Sequence, residues 1–525
     1  MMSRSGEYFA KRLPTLNMYF MSLKHFFKNS AALLLTLAVW GCNDTENVDD
    51  TTGTTNPNIT LQDYSVNPSL VKTLPGFDNV KVTTLISSDD KLAQSPNFIF
   101  SAQPDGAAFM KDPNSDGYIM LNNHEITRSV SRVYLDKTLK PIKGEYIVDG
   151  DGGVWRLCSA SMATPQEHGF GPVFLTAGEE GAESLVHAIN PLGSAADKKN
   201  KDRVLPALGK ASMENAVPLP KDAYAGKTLI IIGEDDTNGQ VLLYVSNTVG
   251  DLNNGKLYFL RRTNSDPVET NMAVGQTYDV EFVEVNNAKT STGAQIAAQS
   301  VEKKAVQFAR VEDLDYRKGS GAASREIYFV ATGVSQTDKV TPVTGKTMWG
   351  RLYRLVLDAA DPLKGKLTPV IDGNIDPGKN LVNPDNVCVT NDFVYVQEDG
   401  DSFYTQTNHD GRIWQYSLKT QQLKPMLEMN HRRGDATFEA KYNTHGDAEW
   451  RSRKSSWEYG AMLDISDIIG VPNTFMVNIH PHTWRDLKYS NADGGARSVA
   501  TGLTNAANGA YAEGGQTVIL RGVEK

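Results

Sequence analysis

Beyond about residue 60 the chain is cut into short apolar runs, rich in β-branched and aromatic residues and bounded by Gly, Asn, Asp or Pro. They read YIMLNNHE, PVFLTAGEE, TLIIIGEDD, QVLLYVSN, KLYFLRR, EIYFVATG, RLYRLVLD, NVCVTNDFVYVQEDG, RIWQYSL and TFMVNIHPH. Each has the length of a strand, and no helical periodicity of any extent lies between them, so the pattern predicts antiparallel all-β structure and not alternating strands and helices. A length of 525 residues would suggest about three domains, but β-propellers run longer as one unit. The polar stretches 192–203, 285–304 and 335–347 read as loops or insertions, not as linkers. One globular unit is therefore expected over 61–525.

Several runs end in paired acids: Glu179 and Glu180, Glu234 to Asp236, and Glu398 with Asp399, with Glu312 and Asp313 as a looser repeat. A single pair of this kind is ordinarily a solvated turn. Its recurrence after the same kind of strand is what the innermost strands of a propeller would bring to the mouth of a central channel. Converging carboxylates repel unless cations neutralise them, so the pattern predicts a polyvalent metal site with oxygen ligands. The 62 acidic against 53 basic residues, a net charge of −9, exclude a basic nucleic-acid binder. With 40% hydrophobic and 22% charged residues the chain is neither disordered nor a multi-span membrane protein.

Other motifs are read more plainly. Asp112, Asn114 and Asp116 alternate as in a calcium loop but lack its closing glutamate, which leaves an Asx-rich turn. His124 and Glu125 in LNNHEIT read as a surface turn. His445, Asp447 and Glu449, and the pair His480 and His482, match no zinc spacing and read as rim or core residues. Cys158 and Cys388 read as buried thiols, with a thiolate metal ligand the sharper alternative for Cys158. No nucleophile elbow and no P-loop is present.

Lys24 and Lys28 precede an apolar run from Ala31 to Trp40 that ends in Gly41 and Cys42, the order of a Sec-type lipoprotein signal. Residues 1–41 are then an N-terminal extension (1–20, an over-extended start) plus signal peptide. Residues 42–60 are a flexible tether lipidated at Cys42, and the expected location is the bacterial cell envelope, outer membrane or cell surface. Membrane association is expected through the lipid anchor alone.

In order along the chain, the segments LNNHE, LCSASMATP with FLTAGEE, GKASMENA with IIGEDD, FARVEDLD, NPDNVCV, VQEDG and TFMVNIHPH resemble the PhoX-type alkaline phosphatases. The resemblance runs from about Asn122 to about Pro481. It implies a single β-propeller, six-bladed, that hydrolyses phosphomonoesters at a calcium and iron cluster. By position it implies that Cys158 ligates iron, that Glu180, Glu214, Glu312 and Asp399 are carboxylate metal ligands, that Arg310 contacts the phosphoryl group, and that Asn123 helps hold substrate.

The chain departs from the family at Met213, where a histidine is usual, at Val311 in place of proline, and at Ser159 to Ser161 in place of two glycines after the cysteine. A Sec-type signal, where the family is exported folded, makes calcium the safer cofactor and leaves iron open. The expected partner is a small phosphomonoester, the expected state a monomer. Two other readings stay open: a calcium-dependent, lactonase-like hydrolase, and a calcium-stabilised surface propeller that binds glycan or protein without catalysis.

Overall fold

The computed structural model describes residues 56–376, 380–400, 406–495 and 509–525. The expected signal peptide, the expected lipidation site Cys42 and the expected tether as far as residue 55 lie outside the described residues. No helix among the described residues is long and apolar enough to cross a membrane.

Five antiparallel sheets are arranged like the blades of a propeller. The strands Pro104–Lys111, Leu157–Ala163, Met213–Pro218, Leu314–Tyr316, Pro384–Val389 and Glu458–Asp464 each lie at a sheet edge and pack on one another in that order, the last returning to the first. Met213–Pro218 and Leu314–Tyr316 are the two edges of one nine-stranded sheet, whose meanders join where Tyr278–Glu284 pairs with Lys364–Asp372. That sheet folds over a core of Ile231, Leu243, Leu260, Phe329 and Tyr353.

Burial follows position. The second strand Thr228–Glu234 (TLIIIGE) is buried on both faces, as its unbroken apolar run requires, whereas the outer strand Lys364–Asp372 alternates between exposed and covered side chains. The ring is closed by distant parts of the chain: Lys81–Ser87 pairs with Gln516–Arg521, and Val71–Thr73 with Leu423–Met429.

The stretch 285–304, expected to be a polar loop, contains the α-helix Gly293–Glu302. Its signal was present but short: Thr292 and Gln295 form a reciprocal capping box, and a single apolar side chain, Ile296, anchors the helix in the core. Asp112 does form the expected Asx turn, accepting from the Asn114 N–H at 2.9 Å and the Ser115 hydroxyl at 2.8 Å.

Candidate metal and anion site

Acid-ended strands were expected to be innermost. They are instead second strands, Val173–Gly178, Thr228–Glu234 and Phe393–Glu398. Antiparallel pairing places their ends beside the beginnings of the inner strands, which carry ligands of their own. In five of the inner strands the register slips so that two residues face one: Asp105 and Gly106, Cys158 and Ser159, Glu214 and Asn215, Asp385 and Asn386, Gly460 and Ala461. Bulges of this kind re-aim side chains. Here four of the five present an acid or a thiol at the same end of the ring.

Three groups of potential ligand atoms result, each gathered within 4.8 Å: Asp105, Glu125 and Cys158; Cys158, Glu179 and Glu214; Glu312, Asp385 and Asp399. Cys158 belongs to the first two and donates to Glu179 Oε2 at 3.2 Å. Two arginines run between the groups. Arg156 pairs with Glu125 at 2.9 Å and with Glu179 at 2.6 Å. Arg310 holds Asp235 through Nε at 2.7 Å and Nη2 at 3.1 Å and also pairs with Glu312. Arg310 has a left-handed backbone, φ 64°, fixed by bonds from its N–H to the Asp236 carbonyl (2.9 Å) and from Thr332 N–H to its own carbonyl (2.8 Å). Such a conformation in a non-glycine residue stores strain and persists only where the surroundings over-determine it.

Electrostatics show what the cluster lacks. Burial, reinforced by neighbouring acids, drives the carboxyls of Asp105, Glu179, Glu214 and Asp385 well above their ordinary range. Glu312 is pushed by burial to about 7 despite Arg310. Burial and then Glu214, Glu125 and Glu179 raise the Cys158 thiol. Asp235 is the exception: burial would raise it, but Arg310 outweighs burial and holds it down. Asp105 Oδ1 is buried with no hydrogen-bond partner. A buried, mutually repelling set of oxygens around one thiol fits a polyvalent cation; the oxygens suit calcium and the sulfur suits iron or another transition metal.

Of the residues expected from the sequence, Cys158, Glu214, Glu312 and Asp399 come together here, with Arg310 among them. Glu180 does not. Consecutive residues past a strand end face opposite ways, so Glu179 meets Cys158 while Glu180, its side chain 37% exposed, pairs with Arg128. Asn123, expected to help hold substrate, has its amide nitrogen engaged by the protein. Its amide donates to the Cys158 carbonyl and, at 2.6 Å, to Thr176 Oγ1. This is one case of a rule. A bulge leaves a carbonyl unpaired in the interior, and an amide from the second strand of the preceding sheet supplies the donor: Asn123 for Cys158, Gln397 for Gly460, and Asn478 for Asp105 at 2.7 Å.

The departures from the family have visible outcomes. Met213 and Val311 are fully buried in apolar clusters. Gly106 runs close beside the segment after the cysteine: a Cβ there would lie 2.5 Å from both the Cys158 carbonyl and the Ala160 nitrogen.

The sequence reading missed Asp105 and Asp385 and assigned Glu125, His480 and His482 to turns, rim or core. His480 and His482 gather with Glu458 in a fourth group. A signal existed at the inner-strand starts, where a ligand is followed by a small or amide residue, in Asp105-Gly106, Cys158-Ser159, Glu214-Asn215 and Asp385-Asn386. Below the acids, a cavity of about 240 Å3 is lined by Ala107, Ser159, Asn215, Asp313, Asn386 and Ala461, among others, and thus by residues from or next to all six inner strands.

No family model and no curated protein matches the sequence. Among solved structures, the chain is similar to Pseudomonas fluorescens PhoX in complex with vanadate, a transition state analogue, with TM-score 0.57, 13% identity, and 88% of this chain and 98% of that chain covered. The chain thus has a PhoX-like, propeller-like fold. The PQQ-bound aldose sugar dehydrogenase of Streptomyces coelicolor aligns over 84% of this chain and 98% of that one, at 9% identity and TM-score 0.35, too loosely to bear on function.

Proposed function

We propose that this protein is a metal-dependent phosphomonoesterase of the bacterial cell envelope, a PhoX-like enzyme anchored through Cys42, with a monomeric six-bladed propeller over residues 61–525. The blade count treats the nine-stranded sheet as two blades joined at their outer strands. The observation that carries the function is Arg310, a guanidinium pinned at the junction of the carboxylate groups in a fold like that of a vanadate-binding phosphatase.

Asp105, Glu125, Cys158, Glu179 and Glu214 would hold one part of a metal cluster, and Glu312, Asp385 and Asp399 the other. Calcium, with or without iron, would supply Lewis-acid charge against the phosphoryl oxygens. The chain's own part is orientation. Asp235 takes Nε and Nη2 of Arg310, Glu312 also pairs with Nη2, and Nη1 makes no hydrogen bond among the described residues, so one nitrogen of a permanently charged group is left for an anion. Arg156 lies between Glu125 and Glu179 and is an internal counter-ion for acids that a metal would otherwise neutralise.

The test is a phosphatase assay of the calcium-loaded soluble domain, with and without iron. Turnover of simple phosphomonoesters, lost in Arg310→Ala, is expected. A metal-loaded sample inert toward every phosphomonoester would overturn the reading.

A further inference from the structure

The group left out of the phosphatase machinery is Glu458, His480 and His482, on the strands Glu458–Asp464 and Thr474–His480 and the turn that follows. His480 Nε2 lies 2.8 Å from the Pro104 carbonyl and so carries a hydrogen, while its Nδ1 faces Glu458 Oε2, 3.3 Å away. His482 has a carboxylate on each side: Glu513 Oε2 at 3.0 Å from Nδ1 and Glu458 Oε2 at 3.0 Å from Nε2. Glu513 is in turn fixed by Arg485 Nη2 at 2.5 Å and Gln103 Nε2 at 2.9 Å. With Nδ1 of His482 held by Glu513, its Nε2 also faces Glu458.

Two imidazole nitrogens therefore meet one carboxylate oxygen, a contact that is favourable only with a cation between them, protons or a metal ion, and His480 Nδ1 is buried with no hydrogen-bond partner. Two features favour a metal ion in that place. Each histidine gives its other ring nitrogen to an outer partner, a backbone carbonyl and an arginine-held carboxylate, which is the second shell that orients metal-binding histidines. The spacing also fits: ligands about 2.1 Å from a tetrahedral ion stand about 3.4 Å apart, against the 3.0 and 3.3 Å found. Gly460 makes room for the arrangement, since a Cβ there would lie 2.9 Å from His480 Nε2. The side chains of His482 and Glu458 keep 11 and 12% exposure, which gives an ion access.

We infer that His480, His482 and Glu458 form a second metal site, beside the carboxylate cluster, that takes a first-row divalent transition ion such as zinc through two imidazoles and one carboxylate. Calcium, which prefers oxygen, does not compete there, and the donor set leaves coordination positions for water or an added ligand.

The test uses protein stripped of metal and then saturated with calcium, titrated with zinc by calorimetry and with cobalt(II) by visible absorption. One equivalent should bind in Cys158→Ser, which lacks the thiol that could itself take zinc, and the wild type should bind at least that one. His480→Ala and His482→Ala should each weaken it by at least about 100-fold, and Glu513→Gln by about 10- to 100-fold. No zinc bound in calcium-saturated wild type, unchanged affinity in the histidine variants, or loss in Cys158→Ser alone would overturn the inference. If the histidine variants do not fold, as circular dichroism will show, Glu513→Gln decides: a loss supports the site and an unchanged affinity refutes it. The outcome is independent of whether the protein hydrolyses phosphomonoesters.

Discussion

Glu312 and Asp313 are neighbours in one short segment, both buried, both acids, both held at about 7, yet they do opposite work. Glu312 stands in the carboxylate cluster beside Asp385, Asp399 and Arg310. Asp313 accepts from Asn215 Nδ2 at 2.6 Å, from the Leu314 N–H at 2.7 Å and from the Val387 N–H at 2.8 Å, and so ties three inner strands together. Asp315 repeats this two residues on, accepting from the Val389 N–H at 2.9 Å. The mouth of the ring gathers acids against acids, and the band below it matches each acid to donors. Burial alone therefore says nothing about function; the partners decide.

The contrast can be broken by mutation. Asp313→Ala leaves three buried donors without an acceptor and should cost roughly 3–5 kcal/mol in denaturant unfolding, with or without calcium. A loss that calcium repairs would place Asp313 with the mouth acids after all.

Protons should separate the two regions next. Glu312 and Asp313 both have folded values near 7, above their unfolded values of about 4. Their protonated forms are favoured by folding, so the stability they contribute to the metal-free protein is full below pH 4 and is lost as pH rises through 7. Each can contribute up to about 1.4 kcal/mol per pH unit inside that window. With calcium bound, Glu312 must be ionised, so its share should reverse while that of Asp313 does not. Thermal melts between about pH 5 and 8, with and without calcium, measure the difference.

Glu214→Gln should move stability in opposite directions in the two metal states. Without metal it removes one repelling charge and should stabilise by roughly 1–2 kcal/mol, since burial and neighbouring acids already disfavour the ionised form. The stabilisation that calcium gives the wild type should shrink or vanish, as calorimetry of the loaded variant will show. Smallest is Glu180→Gln, which breaks an exposed pair with Arg128 and should change stability by less than about 0.5 kcal/mol and leave calcium affinity unchanged. Glu179→Gln, one residue earlier, should weaken calcium binding. Equal behaviour of the two variants would undo the assignment of Glu179 to the cluster.

The all-β character of the chain was determined by its own sequence: runs such as TLIIIGE have the length and β-branched content of strands, with no helical pattern of any extent between them, and the recurring strand-end acids announced carboxylates that would converge. Glu312 and Asp399 stand among those acids, whereas Cys158, Glu214 and Arg310 were reached only through the resemblance of their segments to the PhoX-type phosphatases. Tertiary structure alone decided the rest, because a bulge is a property of two strands and not of one. The two-against-one register aims Asp105 and Asp385 into the cluster, the facing of consecutive residues selects Glu179 over Glu180, and the unpaired carbonyl of the Cys158 bulge turns Asn123 into a clamp. His480 and His482 looked like core residues because their partners, Pro104, Glu458 and Glu513, are separated from them in sequence and meet them only when the ring closes.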